Sequence, residues 1–464
     1  MNYQPFTADA GHLSGENILR DDTLTVPYSG IGELLEQLDR FFSDHDKKKI
    51  CCVALITENT VAHALIILYL LREKLNFILL NGHAPVEDKI PFFCDIILTV
   101  APSVSGRHDW PGNLQLVHNP GHKRNRFAIT RHSGSIFFLS SGTSGQAKYI
   151  YFKQQNLLRN ANNCVKRFAI DDRSRVLVPV PVNHMYGMGV GLLPALLSGA
   201  SICLIDKNNI VKLLDRISTF QPSVTLFTPA VIKMLLLLRN SVQKKGVYIT
   251  AGEKLADQAY KDFEYRYGPL FNLYGCTELG AIAVSDADGN LKALEQVKVR
   301  ISPAENGQIV CRHNAGFVSY LDRHGHRVPS QKEGQGWYRT NDIGMVTGDQ
   351  GFRVIGRADH CTNRYGFLVS LDEVASLLES LFAEINQAIV FEGNKEKGLS
   401  TNLVAVCELV RGRKLDTQTV KNTCKERIGR HMVPDEFVFV EEMPRLPNGK
   451  PDRQSLLNRY KEIY

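Results

Sequence analysis

Apolar and polar positions alternate along the chain in two rhythms. Compact apolar runs such as Ile50–Ile56 and Phe77–Leu80 predict strands, and the three-and-four spacing of Ile31–Phe42 predicts a helix. The middle of the chain repeats the scheme. Ser135–Leu139, Tyr149–Phe152, Ser201–Ile205, Ser223–Phe227, Val247–Thr250 and Leu270–Leu273 read as strands, and Asn156–Ala169 and Ile210–Phe220 as helices. Thr228-Pro229 reads as an N-cap with proline at the first helical position. Strands that are apolar throughout are strands covered on both faces, so the prediction is an α/β protein with buried sheets. The longest apolar run, Val61–Leu71, is interrupted by His63 and is too short to span a bilayer; it predicts a buried helix.

From about Ala287 to Gly356 the texture changes to glycines, turn residues and short β-like pieces, as in Gly307–Val310 and Phe352–Ile355. This predicts a β-rich subdomain over about 287–356, inside an N-terminal core of residues 1–358. Past Arg357-Ala358-Asp359, residues 359–464 carry their own strands, Ala388–Phe391 and Leu403–Leu409, and a helix over Thr417–Arg430. That is the pattern of a separate, smaller α+β domain.

Composition narrows the function without fixing it. With 464 residues, 44% hydrophobic and 22% charged, the chain has room for two or three domains and a large core. A net charge of +7 without a long Lys/Arg run argues against nucleic acid as a partner. No leader-like pattern opens the chain, and its ten cysteines form no CxxC pair. Reduced, buried thiols in a cytoplasmic protein without a membrane span are expected.

The candidate chemistry starts at Ser140-Ser141-Gly142-Thr143-Ser144-Gly145-Gln146-Ala147-Lys148, which follows a strand. Glycines let backbone N–H groups approach an anion, and hydroxyls and an ammonium add donors, so the segment suits a polyphosphate. A Walker-type loop requires another spacing and a following helix. Here the spacing is Gly142-x-x-Gly145-x-x-Lys148, and Tyr149–Phe152 reads as a strand. A dinucleotide G-x-G-x-x-G is absent at this place. A polar surface hairpin is the plain alternative.

The loop resembles the phosphate loop of the adenylate-forming superfamily of acyl- and aryl-CoA synthetases, adenylation domains and luciferases, with Ala147 where proline is usual. Four further motifs follow in the order of that family. Asn272-Leu273-Tyr274-Gly275-Cys276-Thr277-Glu278 is similar to its Y-G-x-T-E motif, and Tyr338–Asp342 to Y-R-T-G-D with Asn341 in place of glycine. Gly356–Asp359 is similar to the G-R-x-D hinge, and Pro447–Arg453 to P-x-x-G-K-x-x-R. Without these motifs, Tyr274–Glu278 reads as a strand end followed by a helix start, and Lys450 as an exposed tail lysine.

The resemblance implies a large N-terminal α/β domain and a small mobile C-terminal domain pivoting at Asp359. It implies ATP held by Ser140, Ser141, Gly142, Thr143, Ser144, Gly145, Lys148, Asn272, Tyr274, Gly275, Asp342 and Arg357, and Mg2+ held by Glu278. Lys450 and Thr277 would act on the α-phosphate, and His184, in Val182–Gly187, would stand at the mouth of the acid site. His184, Ala251, Gly252, Tyr274, Cys276 and Ile282 would wall the acid, within the segments Val182–Gly191, Phe227–Pro229, Ala251–Glu253 and Tyr274–Ile282. Apolar and small residues there suit an aryl or aliphatic carboxylic acid. No F-D-x-S-type run stands near His184, which disfavours an α-amino acid. The implied reaction joins the acid to AMP with loss of pyrophosphate, then passes the acyl group to a thiol of CoA or of a carrier protein's phosphopantetheine. After the hinge the sequence departs from the family: Asn363 for lysine, Leu368 for arginine and Ser370 for glutamate, with Gly366 kept. These departures leave open an amine acceptor, or a catalytically silent nucleotide-binding homologue.

Overall fold

The computed structural model describes residues 16–83, 87–101, 112–123, 130–140, 148–206, 209–238, 246–252, 255, 257–286, 288–302, 307–330, 332, 334–348, 351–364, 367–393, 402–445 and 451–460. The chain divides into two compact units, one of Met1–Lys298 with Arg312–Trp337, the other of Val299–Cys311 with Tyr338–Tyr464.

The first unit is built on two large sheets with helices between and around the strands. One sheet runs, in spatial order, Arg327–Val328, Ser319–Leu321, Tyr149–Lys153, Ser135–Leu139, Phe77–Asn81, Val53–Thr57, Ile96–Val100, Leu114–His118. Its centre is parallel and its margins antiparallel. Parallel neighbours need crossover connections, and Val61–Arg72 supplies one between Val53–Thr57 and Phe77–Asn81. That helix is apolar nearly all round and buried accordingly, as its sequence predicts. Thr60 caps it, and His63 sits 3% exposed in its first turn with Nδ1 at 2.7 Å from Thr60 Oγ1.

The second sheet runs through this unit as Leu291–Ala293, Gly280–Ser285, Leu270–Cys276, Val247–Ala251, Val224–Phe227, Arg175–Val178, Ser201–Leu204, Ile18–Arg20, Thr25–Pro27. Five of its neighbouring pairs are parallel. Ile210–Phe220 forms as its periodicity predicts, capped by Asn209. Pro229–Leu237 opens behind the Thr228 cap read from Thr228-Pro229.

In the second unit a three-stranded sheet, Ile385–Glu392, Leu403–Leu409 and Glu436–Val440, separates two apolar layers. Ala388, Val390, Leu403, Ala405 and Cys407 face the cluster under Leu371–Leu381 and Thr417–Arg427. Ile389, Phe391, Val404 and Val406 face Leu456 and Tyr460 of Arg453–Tyr460. Strict alternation of side chains lets one sheet serve both layers. The protein is therefore mixed α/β with large sheets and a separate small C-terminal domain.

Element ends differ from the sequence reading where side chains intervene. The strand expected over Ile50–Ile56 begins at Val53, because the Asp95 carboxylate takes the amides of Cys51 and Cys52 (2.9 and 2.7 Å). The helix expected to reach Arg430 stops at Arg427, followed by a separate turn at Arg430–Met432 after Gly429.

Candidate nucleotide-binding site

Ser135–Leu139 and Tyr149–Lys153 pair antiparallel, with Leu139 opposite Tyr149. Ser140 N donates to Lys148 O at 2.9 Å, so Ser140 and Lys148 stand together at the base of the phosphate-loop segment. The chain continues into a strand rather than a helix, as expected. Ser141, Gly142, Thr143, Ser144 and Gly145 lie outside the described residues. Ser140 Oγ is buried and has no hydrogen-bond partner among the described residues. A buried hydroxyl without a partner is costly unless a ligand supplies one, which fits an anion at this loop.

Tyr274-Gly275-Cys276-Thr277-Glu278 forms a strand end and a tight hairpin turn, not a helix start. Gly275 lies opposite Ala281, and Cys276 opposite Gly280. A Cβ on Gly275 would collide with the Gly280 carbonyl oxygen, and Gly280 itself has φ +71°. Only glycine accepts both demands cheaply. The turn therefore puts Thr277 and Glu278 at the tip of the hairpin. Asn272, Tyr274, Cys276, Thr277 and Glu278 are half-buried, while Gly275 is exposed.

Segment Phe317–Tyr320 joins this tip to the phosphate-loop strands. Phe317 N donates to Glu278 O (2.7 Å), Val318 N donates to Tyr151 O (2.7 Å), and Tyr320 Oη donates to Glu278 Oε1 (2.6 Å). No set of three or more His, Cys, Asp or Glu side chains stands together as a metal cage among the described residues. Glu278 is thus a carboxylate outside any such cage, tied through Phe317–Tyr320 to the strand that follows the phosphate-loop segment. That donor set suits Mg2+, which is commonly carried by one or two carboxylates and the phosphates of its nucleotide.

The segments expected to wall the acid are also drawn together. Gly187–Leu192 forms a π-helical turn, an irregular piece that the sequence reading did not anticipate. A Cβ on Gly187 would strike the Pro181 carbonyl, and one on Gly189 would lie 2.8 Å from Asn160 Nδ2. Tyr186 Oη donates to Ile249 O (2.8 Å) and Phe227 O (3.1 Å), and burial pushes its hydroxyl well above its ordinary pKa. Asn160, fully buried in Gln154–Phe168, donates to Gly189 O (3.0 Å) and accepts from Ala281 N (2.8 Å). His184 is exposed just ahead of this turn, Ala251 and Ile282 are buried, and Gly252 has φ +98°. Glu253 lies outside the described residues.

In the second unit, Asp342 and Arg357 face each other on the antiparallel strands Trp337–Thr347 and Gly351–Arg357, with Nη1 at 3.9 Å from Oδ1. Buried Thr340 receives the amide of Asp342 (3.2 Å) and donates to Ile309 O (3.0 Å). Asn341 has φ +66°, so the residue that stands where the family carries glycine takes a left-handed backbone, which asparagine accepts more readily than most side chains. Burial would raise the Asp359 carboxyl, but the hydrogen bond and charge of Arg357, with Nε at 3.1 Å, hold it below its ordinary value. Ser370 caps Leu371–Leu381, and a Cβ on Gly356 would strike its hydroxyl. The position where the family carries glutamate thus closes a helix end. Lys450 and Gly366 lie outside the described residues. On either side of Lys450 in the sequence, Arg445 pairs with Glu408 (3.0 Å), and Arg453 binds Asp372, which also holds His360.

Sequence motifs do not point to Tyr320 or Asn160. Both act on residues far along the chain, and neither lies in a motif read above.

Residues 98–345 match the AMP-binding enzyme family, and residues 373–450 match the AMP-binding enzyme C-terminal domain. Over 332 residues the chain is 28% identical to the indoleacetate–CoA ligase of Aromatoleum aromaticum, a match spanning 67% of this chain and 64% of that protein. It therefore spans just under two thirds of that relative. Over 342 residues it is 25% identical to the D-alanine–D-alanyl carrier protein ligase of Staphylococcus aureus, covering 68% of this chain and 69% of the other. The fold superposes on ATP-bound MatB from Rhodopseudomonas palustris with a TM-score of 0.83 at 18% identity, covering 100% of both chains. With the order of its motifs, its two large sheets and a family match over more than half its length, this chain belongs to the AMP-binding enzymes of the adenylate-forming superfamily.

Proposed function

We propose that the protein is an AMP-forming acid–thiol ligase. A carboxylate oxygen attacks the α-phosphorus of ATP, the bond to the β-phosphate oxygen breaks, and pyrophosphate leaves. A thiol then attacks the acyl carbon of the adenylate and AMP departs. The observation that carries this reading is the junction of Glu278 with the strands of the phosphate loop through Phe317–Tyr320. The named activities of the indoleacetate and D-alanine ligases support the reaction class.

Each residue then has a task. Lys148, Ser140 and the loop between them hold the β- and γ-phosphates. Tyr274 and Asn272 hold the adenine, Asp342 the ribose hydroxyls, and Arg357 reaches the nucleotide. Glu278 holds Mg2+, which when bound neutralises phosphate charge. Thr277 and Lys450 offset the negative charge that grows on the α-phosphate, where preorganised donors are most effective. Residues 359–464 act as the mobile domain, turning at Asp359 between the two half-reactions. His184, Ala251, Gly252, Tyr274, Cys276 and Ile282 contribute to an acid site for an aryl or aliphatic acid, with CoA or carrier phosphopantetheine as acceptor. The changed residues Asn363, Leu368 and Ser370 favour one alternative, an amine as the second nucleophile.

Carboxylate-dependent exchange of pyrophosphate into ATP tests the first half-reaction. A panel of aryl, aliphatic and amino acids that supports no exchange with folded protein refutes the proposal. Product assays with CoA, carrier protein and amines separate the acceptors. Lys450→Ala is expected to slow adenylation severely and to spare thioester formation from a supplied adenylate. Equal loss of both steps contradicts the role given to that lysine.

A further inference from the structure

Segment Phe317–Leu321 carries none of the residues given a task above, yet Glu278 meets it at both backbone and side chain. Phe317 N holds the Glu278 carbonyl (2.7 Å), and Tyr320 Oη holds Glu278 Oε1 (2.6 Å). Tyr320 is itself fixed. It lies opposite Ile150 in the antiparallel pair with Tyr149–Lys153, and its ring packs on Phe317 with centroids 5.0 Å apart. Lys332 secures the segment from below, donating to Phe317 O (2.6 Å) and Val318 O (2.8 Å), with its ammonium 4.3 Å from the Phe317 ring centroid.

The chemical character of the contact matters. A glutamate at a hairpin tip has several rotatable bonds, and fixing them costs side-chain entropy. An ammonium or guanidinium partner would fix them too, but would cancel the negative charge that a cation seeks. No such partner touches the Glu278 carboxylate among the described residues; the nearby ammonium of Lys332 is committed to backbone carbonyls. A neutral hydroxyl orders the carboxylate and leaves its charge in place. Outer partners that orient a ligating group are worth about 10–100-fold in metal affinity.

We propose that Tyr320 is a positioning residue that holds the Glu278 carboxylate in the rotamer that receives the divalent cation of the nucleotide complex. The inference rests on the reading of Glu278 as the metal ligand. It also explains why the strand beside the phosphate loop carries a tyrosine at the position opposite Ile150: the register fixes the hydroxyl with respect to the strand that Lys148 enters.

The test uses the full-length protein with Mn2+ as a spin probe and a non-hydrolysable ATP analogue. Mn2+ affinity is read by electron paramagnetic resonance, and analogue binding is measured separately in EDTA. Tyr320→Phe keeps the ring and removes the hydroxyl. It is expected to weaken Mn2+ binding in the ternary complex about tenfold, with metal-free analogue binding and melting temperature unchanged. Added to Glu278→Gln, it should change Mn2+ affinity no further. If Glu278→Gln weakens Mn2+ binding and Tyr320→Phe does not, the positioning role is overturned while the ligand assignment stands. If Glu278→Gln leaves Mn2+ affinity unchanged, both fall. Equal weakening of analogue binding with and without metal also overturns the proposal, because it marks a purely structural tyrosine.

Discussion

Asn160 is the perturbation from which the structure yields the sharpest number. Its amide is fully buried and bridges two separate elements, the carbonyl of Gly189 in the π turn and the amide of Ala281 in the strand returning from the Thr277–Glu278 tip. Asn160→Ala removes both hydrogen bonds and leaves both backbone groups buried. Each orphaned group costs about 1–3 kcal/mol, so the sum is about 2–6 kcal/mol before any cavity term. Against a typical total of about 5–15 kcal/mol, that is a large fraction of the stability. Gly189 and Gly280 leave little slack for repair, since a Cβ on either would press against the Asn160 amide. The neighbouring backbone is already at closest approach. Urea unfolding followed by circular dichroism should show the loss, and hydrogen exchange at the Ala281 amide should accelerate. A loss below about 1 kcal/mol, the size of one ordinary net hydrogen bond, together with unchanged exchange at Ala281, would refute the reasoning.

Three further outcomes follow from local chemistry. Burial pushes His63 down to about 4 from its ordinary 6.5. The unfolded chain therefore binds the extra proton first, and the His63 contribution is intact above pH 6.5 and lost as pH falls toward 4, by about 3 kcal/mol at 1.36 kcal/mol per pH unit. Stability measured across that window in wild type and His63→Gln should differ in slope; parallel curves would contradict the burial argument. Buried Arg364 holds Asp435 through Nη2 at 2.6 and 2.7 Å. Asp435→Ala removes the carboxylate from a guanidinium whose other described partners include backbone carbonyls such as Val433 O, and should cost about 3 kcal/mol, the low end for a broken buried pair because Asp435 is partly open to water. Asn341→Ala places an ordinary side chain at φ +66° and should lower stability by about 1 kcal/mol, whereas Asn341→Gly should be tolerated.

Much of the fold is legible because buried strands and caps announce themselves locally. The short apolar and β-branched or aromatic runs at Phe77–Leu80 and Val247–Thr250 read as covered strands, and Thr228-Pro229 marks its helix within two residues. The hairpin at Gly275–Gly280 escapes such reading, because its shape depends on a positive φ at Gly280 and on the close approach of two backbones. Asn341 shows the opposite case. The residue differs from the family's, and the left-handed φ it adopts shows only in the structure. Asn160 and Tyr320 are silent in the sequence because each acts across a gap of 121 or 42 residues. Only folding reveals whom they touch.

The place of Tyr320 has a consequence for the order in which the protein is made. Its strand pairs with residues near Ile150, emerging from the ribosome 170 residues after them, since 320 less 150 is 170. A nascent chain that has already exposed the phosphate-loop strands, Tyr274 and Glu278 still lacks the partner that seats the carboxylate. Long-range closure of this kind comes late in folding. A fragment that ends between Glu278 and Phe317 therefore contains the phosphate loop and the Tyr274–Glu278 motif but not their common support, and should bind a metal–nucleotide complex poorly, for want of that support as well as of Asp342, Arg357 and Lys450.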